Sequence, residues 1–160
     1  MRKCLIFAVL LVSACARPVF EAPEGATALT PADAVEDFPR AEGRRVIWGG
    51  RVVGSRNLQD STELVILGLP LSRSQRPQVR REPVGRFIVR YPGYLETMVY
   101  APDRLVTVDG RVTSLETRPV GEARYQYPLV RAEAVHLWPE TEDDSSGFQF
   151  GVGIGIGLGN

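Results

Sequence analysis

Two cysteines and one histidine are the scarce reactive side chains of this 160-residue chain. Cys4 lies inside Cys4–Val12, a nine-residue apolar run behind the basic start Met1-Arg2-Lys3, and Cys15 directly follows Val12-Ser13-Ala14. A basic start, a short apolar run and small residues make a secretory leader. The run is too short for a spanning helix, which needs about 20 apolar residues. A thiol placed straight after small residues is the diacylglyceryl acceptor that a bacterial lipobox requires, so Cys15 is the lipidation candidate. Three acyl chains there bury methylenes worth about 0.8 kcal/mol each, where a single chain holds only marginally. The membrane, through this anchor, is therefore the first expected partner.

With the leader removed no free thiol remains, and a single histidine, His136, excludes a His-pair metal motif and a Cys–His dyad. Lys3 is the only lysine, so the mature chain has neither a P-loop lysine nor a Ser–Lys catalyst. No catalytic residue, metal site or cofactor is expected, and His136 reads as a packed or rim histidine beside Leu137-Trp138. Loss of Arg2 and Lys3 changes 19 bases against 19 acids to 17 against 19, a formal charge of −2. That balance speaks against nucleic acid as a partner. One stretch departs from it: Arg73, Arg76, Arg80, Arg81, Arg86 and Arg90 face a single acid, Glu82. Arginine forks suit carboxylates and phosphates. These six are the candidate rim for an anionic ligand, with Tyr91 and Tyr94 near enough in sequence to stack; a solvated loop is the plainer reading.

The elements that must carry these residues read mainly as β. Residues 15–43 hold Pro18, Pro23, Pro31 and Pro39, a density that opposes helix interiors and ladders alike. They read as the lipidated N-terminus and a tether, although Thr30-Pro31 can open one short helix as N-cap and first helical residue. Strands are expected over 45–53, 62–69, 85–91, 104–113 and 129–138, from alternations such as Val46/Trp48/Val52, Phe87/Val89/Tyr91 and Val106/Val108/Val112. The glycines at 49, 50 and 110 suggest bends or bulges, and a bulge near Ala134 would bring Val135 and Leu137 onto the inward face. Residues 54–57 read as a turn, 94–100 as a short helical turn and 114–127 as a polar loop. Five or six strands with a short helical piece between the third and fourth match a small, OB-like antiparallel barrel over 44–138, with an open antiparallel sandwich as the alternative. Residues 139–160 form an acidic linker and a tail alternating glycine with apolar residues; the tail lacks the dinucleotide pattern, since Ile156 stands where glycine is required.

Val46-Ile47-Trp48-Gly49-Gly50-Arg51-Val52, Thr62–Leu67 with Leu69-Pro70-Leu71, Gly85-Arg86-Phe87 and Pro92-Gly93-Tyr94-Leu95-Glu96 resemble the Slp family of outer-membrane lipoproteins. Tyr100-Ala101-Pro102, Arg104–Val108, Tyr127-Pro128 and Leu137-Trp138 continue the resemblance in the same order, over roughly 43–138, beside a lipobox at the expected place. Glu96-Thr97 replaces an expected Asp-Pro pair, and Ser72 stands where Asp often follows Leu-Pro-Leu. The resemblance implies a periplasm-facing envelope protein, induced on starvation or in stationary phase, without an established enzymatic activity. It carries over no catalytic residue. Ala16, rather than Asp, after Cys15 implies sorting to the outer membrane by similarity to enterobacterial lipoproteins. The function expected is a lipid-anchored structural or binding module of the envelope. The alternative is an OB-like module for an anionic component, whether lipid headgroup, lipopolysaccharide or cell wall. An envelope protein is a further candidate partner.

Overall fold

Alternating side chains place Val52, Ile66, Phe87, Val89, Val108 and Val130 on one face of their strands, and each is at most 1% exposed. A sheet with one such face closes on itself to bury it. The computed structural model of the protein describes residues 17–22 and 29–140. It contains helices α1 (Pro31–Glu36) and α2 (Phe38–Ala41), then strands β1 (Arg45–Asn57), β2 (Ser61–Leu69), β3 (Arg86–Pro92), β4 (Leu105–Val120) and β5 (Ala123–Leu137). The strands close into a barrel in the order β1-β2-β3-β5-β4. Every neighbouring pair is antiparallel except β3 with β5, which run parallel through Ile88–Arg90 and Leu129–Arg131. This is the five-stranded OB-type barrel expected, with one parallel seam where an all-antiparallel sheet was anticipated.

Closure depends on places where strands cross closely. A Cβ at Gly50 would collide with the Leu67 carbonyl of β2, and one at Gly110 with the Arg131 carbonyl of β5. Only glycine permits those approaches. Val53 is the extra residue of β1, Thr113 of β4 and Glu133 of β5, the last facing the Asp109–Gly110 step as a bulge at that glycine would. The third lies beside Ala134 as anticipated, and it lets Val135 and Leu137 pack on the core alongside Val130 and Ala132.

Three local expectations change. Residues 54–57 continue β1 in pairing with β2, and the turn falls at 58–60. Residues 114–127 are not a loop: Ser114 to Val120 pair with Ala123 to Leu129 as a long hairpin arm. Their polarity reflects an ionic partner described below. Residues 94–100 make one turn, closed by Tyr100 N–H donating to the Glu96 carbonyl, and form no helix. Of its apolar residues, Leu95 and Tyr100 pack against the core, whereas Tyr94 is 68% and Met98 83% exposed.

The helices stand before β1 instead. Thr30 and Asp33 form a reciprocal capping box, with Thr30 Oγ1 accepting from the Asp33 amide at 3.1 Å and Asp33 Oδ2 from the Thr30 amide at 2.9 Å. Ala34 and Ala41 are fully buried against the barrel core. Ala32 N–H donates to the Val84 carbonyl, and Trp48 Nε1 donates to the Leu29 carbonyl at 2.6 Å. Residues 29–41 of the expected tether are thus part of the domain. The acyl-acceptor Cys15 and the glycine-rich tail lie outside the described residues.

Candidate functional site

The β2–β3 connection, residues 70–85, carries most of the anticipated arginines, and its shape comes from local hydrogen bonds. Ser72 N–H donates to the Arg76 carbonyl, Arg76 N–H to Ser72 Oγ, and Gln75 N–H to the Ser72 carbonyl. This tight turn holds Gln75 at φ 67°, in the left-handed region. The strained residue is tied on every side. Its side-chain Oε1 accepts from Phe20 N–H and its Nε2 donates to the Phe20 carbonyl, both at 2.8 Å, so one amide satisfies one backbone residue completely. Its carbonyl accepts from Thr107 Oγ1 at 2.7 Å, and that hydroxyl accepts from Trp138 Nε1 at 2.9 Å. Arg76 then lies over the Trp138 ring, 5.2 Å from its centroid, and donates to the Pro139 carbonyl. The N-terminal segment, the arginine loop, β4 and the end of β5 are thereby one hydrogen-bonded unit. His136 packs edge-on against Trp138 with centroids 4.5 Å apart, as a packed histidine should.

The six arginines of the anticipated rim do not form one surface. Arg73, Arg80 and Arg81 are exposed on the loop, Arg76 is held at Trp138, and Arg86 is half-buried at the start of β3 opposite Leu67. Arg90 belongs to a different structure, centred on an acid that the sequence did not single out.

Glu63 sits on the outward face of β2, opposite in phase to Leu64 and Ile66, and is only 1% exposed. Cross-strand register places Arg56 of β1 on one side and Arg90 of β3 on the other. Arg56 Nε reaches Glu63 Oε1 at 2.8 Å and Arg90 Nη2 reaches Oε2 at 2.9 Å. The hairpin arm bends over this face, and Arg118 forks onto both carboxylate oxygens at 2.8 Å each. Glu116 joins Arg118 at 2.6 Å and Arg90 at 3.3 Å. The Arg118 fork, with help from Arg56 and Arg90, outweighs burial and holds the Glu63 carboxyl down at about 2. Arg118 is pushed up in turn by its bonds to Glu63. A carboxylate so tightly held is a clamp for the hairpin, not a proton donor near neutrality.

Register also lines up Arg45, Arg111, Arg131 and Arg90 across β1, β4, β5 and β3. Like charges directly opposite repel, and acids answer most of them: Asp109 pairs with Arg45 at 2.6 Å and Glu133 with Arg111 at 3.4 Å. Arg131 has no carboxylate partner among the described residues, and with Arg90, Ser61 and Thr113 it lines an open cleft of about 470 Å³. Asp60 at the cleft edge moderates its positive character. Only the register reveals this row, because its members are scattered along the chain. Among the described residues no group of three His, Cys, Asp or Glu is placed to hold a metal.

The chain matches the outer membrane lipoprotein Slp family over residues 12–152. It belongs to that family. A Haemophilus influenzae protein described as uncharacterized is 32% identical over 117 residues, covering 66% of this chain and 63% of that one. The uncharacterized lipoprotein YeaY of Escherichia coli K12 is 28% identical, covering 62% of this chain and 51% of its own length. The outer membrane protein Slp of the same organism is 25% identical over 96 residues, 60% of this chain and 50% of that protein. The chain thus spans between half and two thirds of the length of these curated relatives. A small single-stranded DNA-binding protein from Streptomyces coelicolor matches 59% of this chain and 94% of its own at TM-score 0.41 and 18% identity. The OB-type assignment rests on strand order and closure in this Slp-family chain itself.

Proposed function

We propose that this Slp-family protein is a lipid-anchored, periplasm-facing module of the outer membrane that acts by binding rather than by catalysis, under starvation or related stress. The observation that carries the reading is Cys15 placed directly after Val12-Ser13-Ala14 in a chain of an outer membrane lipoprotein family. Among the described residues the most perturbed carboxyl group, Glu63, has both oxygens occupied by guanidinium groups, and the single histidine packs on a tryptophan. Both arrangements favour a structural use of residue types that catalysis would otherwise recruit. Replacing Cys15 with Ser should abolish acyl labelling and release the protein from the outer-membrane fraction. A C15S protein still labelled and still in that fraction would overturn the anchoring.

An anionic envelope component is the ligand class favoured by the exposed Arg73, Arg80 and Arg81 on a loop fixed by Gln75. Substituting Arg73 and Arg81 with Gln should weaken binding to anionic liposomes or lipopolysaccharide, and unchanged binding would remove this ligand class.

A further inference from the structure

Gln75 links the arginine loop to a point in the chain very close to the lipidation candidate. Phe20 stands five residues after Cys15. Even fully extended, five residues span at most about 18 Å. Phe20 is bound through both its amide and its carbonyl to Gln75, and Arg73 and Arg76 flank Gln75 at two residues and one. The described stretch around Phe20 is therefore fastened to the arginine loop a few residues from the lipidation candidate.

We propose that the Phe20–Gln75 latch orients the barrel on its own membrane, with the β2–β3 loop down and Arg73 and Arg81 against anionic phospholipid headgroups. The inference rests on acylation at Cys15. Three independent features support it. The latch is two-point, so Phe20 can neither slide nor swivel on the loop while both bonds hold. Gln75 is itself braced by Thr107 and, through that hydroxyl, by Trp138, so the orientation passes to β4 and β5 instead of ending in a loose turn. Finally, the loop presents Arg73 and Arg81 to solvent against one acid, Glu82, in a mature chain that is otherwise slightly acidic. Arginine forks meet phosphate in pairs of hydrogen bonds, and basic residues held at an anionic surface add to the grip of an acyl anchor. The opposite end of β2 carries the 58–60 turn, nine strand residues or roughly 27 Å away, and faces away from the bilayer.

Because the mature chain keeps no thiol other than Cys15, single cysteines at Gln78 and Gln59 can each carry one fluorophore. The acylated full-length protein is placed in nanodiscs of phosphatidylethanolamine and phosphatidylglycerol containing a headgroup-attached quencher. Quenching at residue 78 should exceed that at residue 59 at least fivefold. The pair Arg73→Gln and Arg81→Gln, or replacement of phosphatidylglycerol by phosphatidylcholine, should cut the difference to twofold or less. Gln75→Ala should do the same while the far-UV spectrum stays that of the folded barrel. Acylated wild-type protein quenched equally at both positions would overturn the orientation alone. A difference insensitive to both arginines and lipid charge would overturn the headgroup contact. An N-terminal peptide without acyl chains by mass spectrometry would overturn the anchoring itself, and the orientation with it.

Discussion

Arginine does two jobs in this protein, and the Glu63 cluster and the β2–β3 loop separate them. Around Glu63, guanidinium groups from β1, β3 and the hairpin converge on an acid that is 1% exposed, and every oxygen of that carboxylate is occupied. On the loop, Arg73 and Arg81 point to solvent from a backbone fixed by other residues. The difference lies in strand register and not in composition. An acid at Glu63 falls opposite Arg56 and Arg90 because Thr62 to Leu67 of β2 pair with both neighbours, whereas the loop has one isolated bridge, Leu71 with Pro77. Charge at a register position becomes architecture. Charge on a loop stays available to a ligand.

The largest test of this contrast removes the hub. Glu63→Gln keeps the shape but leaves three guanidinium groups around an uncharged amide, and breaking a buried ion pair costs about 3–5 kcal/mol. Urea or thermal unfolding should show that loss. A change under about 1 kcal/mol would mean that Arg56, Arg90 and Arg118 are satisfied by solvent instead of Glu63.

The same cluster sets an acid limb of stability. Glu63 titrates at about 2 in the folded protein and near 4.5 when free, so its contribution is complete above pH 4.5 and is lost as pH falls toward 2. The shift corresponds to an amount on the order of 3 kcal/mol. Unfolding free energy measured from pH 6 down to pH 2 should fall accordingly in the wild type. The Glu63→Gln variant should lack that component, and equal slopes for the two proteins would exclude Glu63 as its source.

Arg118 gives a smaller and more local effect. Among the described residues it joins the hairpin directly to Glu63 through two bonds, while Arg56 and Arg90 remain on the carboxylate without it. Arg118→Lys replaces a two-pronged fork with a point charge. A loss of about 1–3 kcal/mol is expected, with amide exchange accelerating over 115–126 and unchanged in β1 and β2. Uniform acceleration through the barrel would show that the hairpin is not separately clamped.

These effects also mark what was legible in the sequence. Alternation at Val46, Trp48 and Val52 or at Phe87 and Val89 is a property of single strands, so the strands and their order along the chain could be read directly, whereas the parallel β3–β5 seam could not. The Thr30-Pro31 start was equally local, because a capping box spans four residues. The hairpin was misread as a loop because Glu116 and Arg118 are polar, and their reason for being polar, Glu63, lies more than 50 residues away. Arg90 was grouped with Arg73–Arg86 by nearness along the chain, whereas strand pairing assigns it to Glu63 and Glu116. Gln75 carried no signal, since a glutamine in a polar loop announces neither its positive φ nor its hold on Phe20. Period survives in the linear chain, and pairing between distant strands does not.

The loop should be almost silent in stability, which makes it the sharper half of the contrast. Arg73→Gln and Arg81→Gln together should shift unfolding free energy by no more than about 0.5 kcal/mol, the usual range for surface substitutions. Salt separates the two regions in the same direction. Raising ionic strength from 0.1 to 1 M shortens the screening length from about 10 Å to about 3 Å. Exposed charges such as Arg73 then lose most of their reach toward a charged surface. The Glu63 bonds, 2.8–2.9 Å long and made to a carboxylate that is 1% exposed, keep theirs. The difference in stability between wild type and Glu63→Gln should therefore persist in 1 M salt, while any affinity for anionic vesicles that depends on Arg73 and Arg81 disappears. If salt erased the Glu63 difference as well, the cluster would be a surface network like the loop, and burial would not be what distinguishes them.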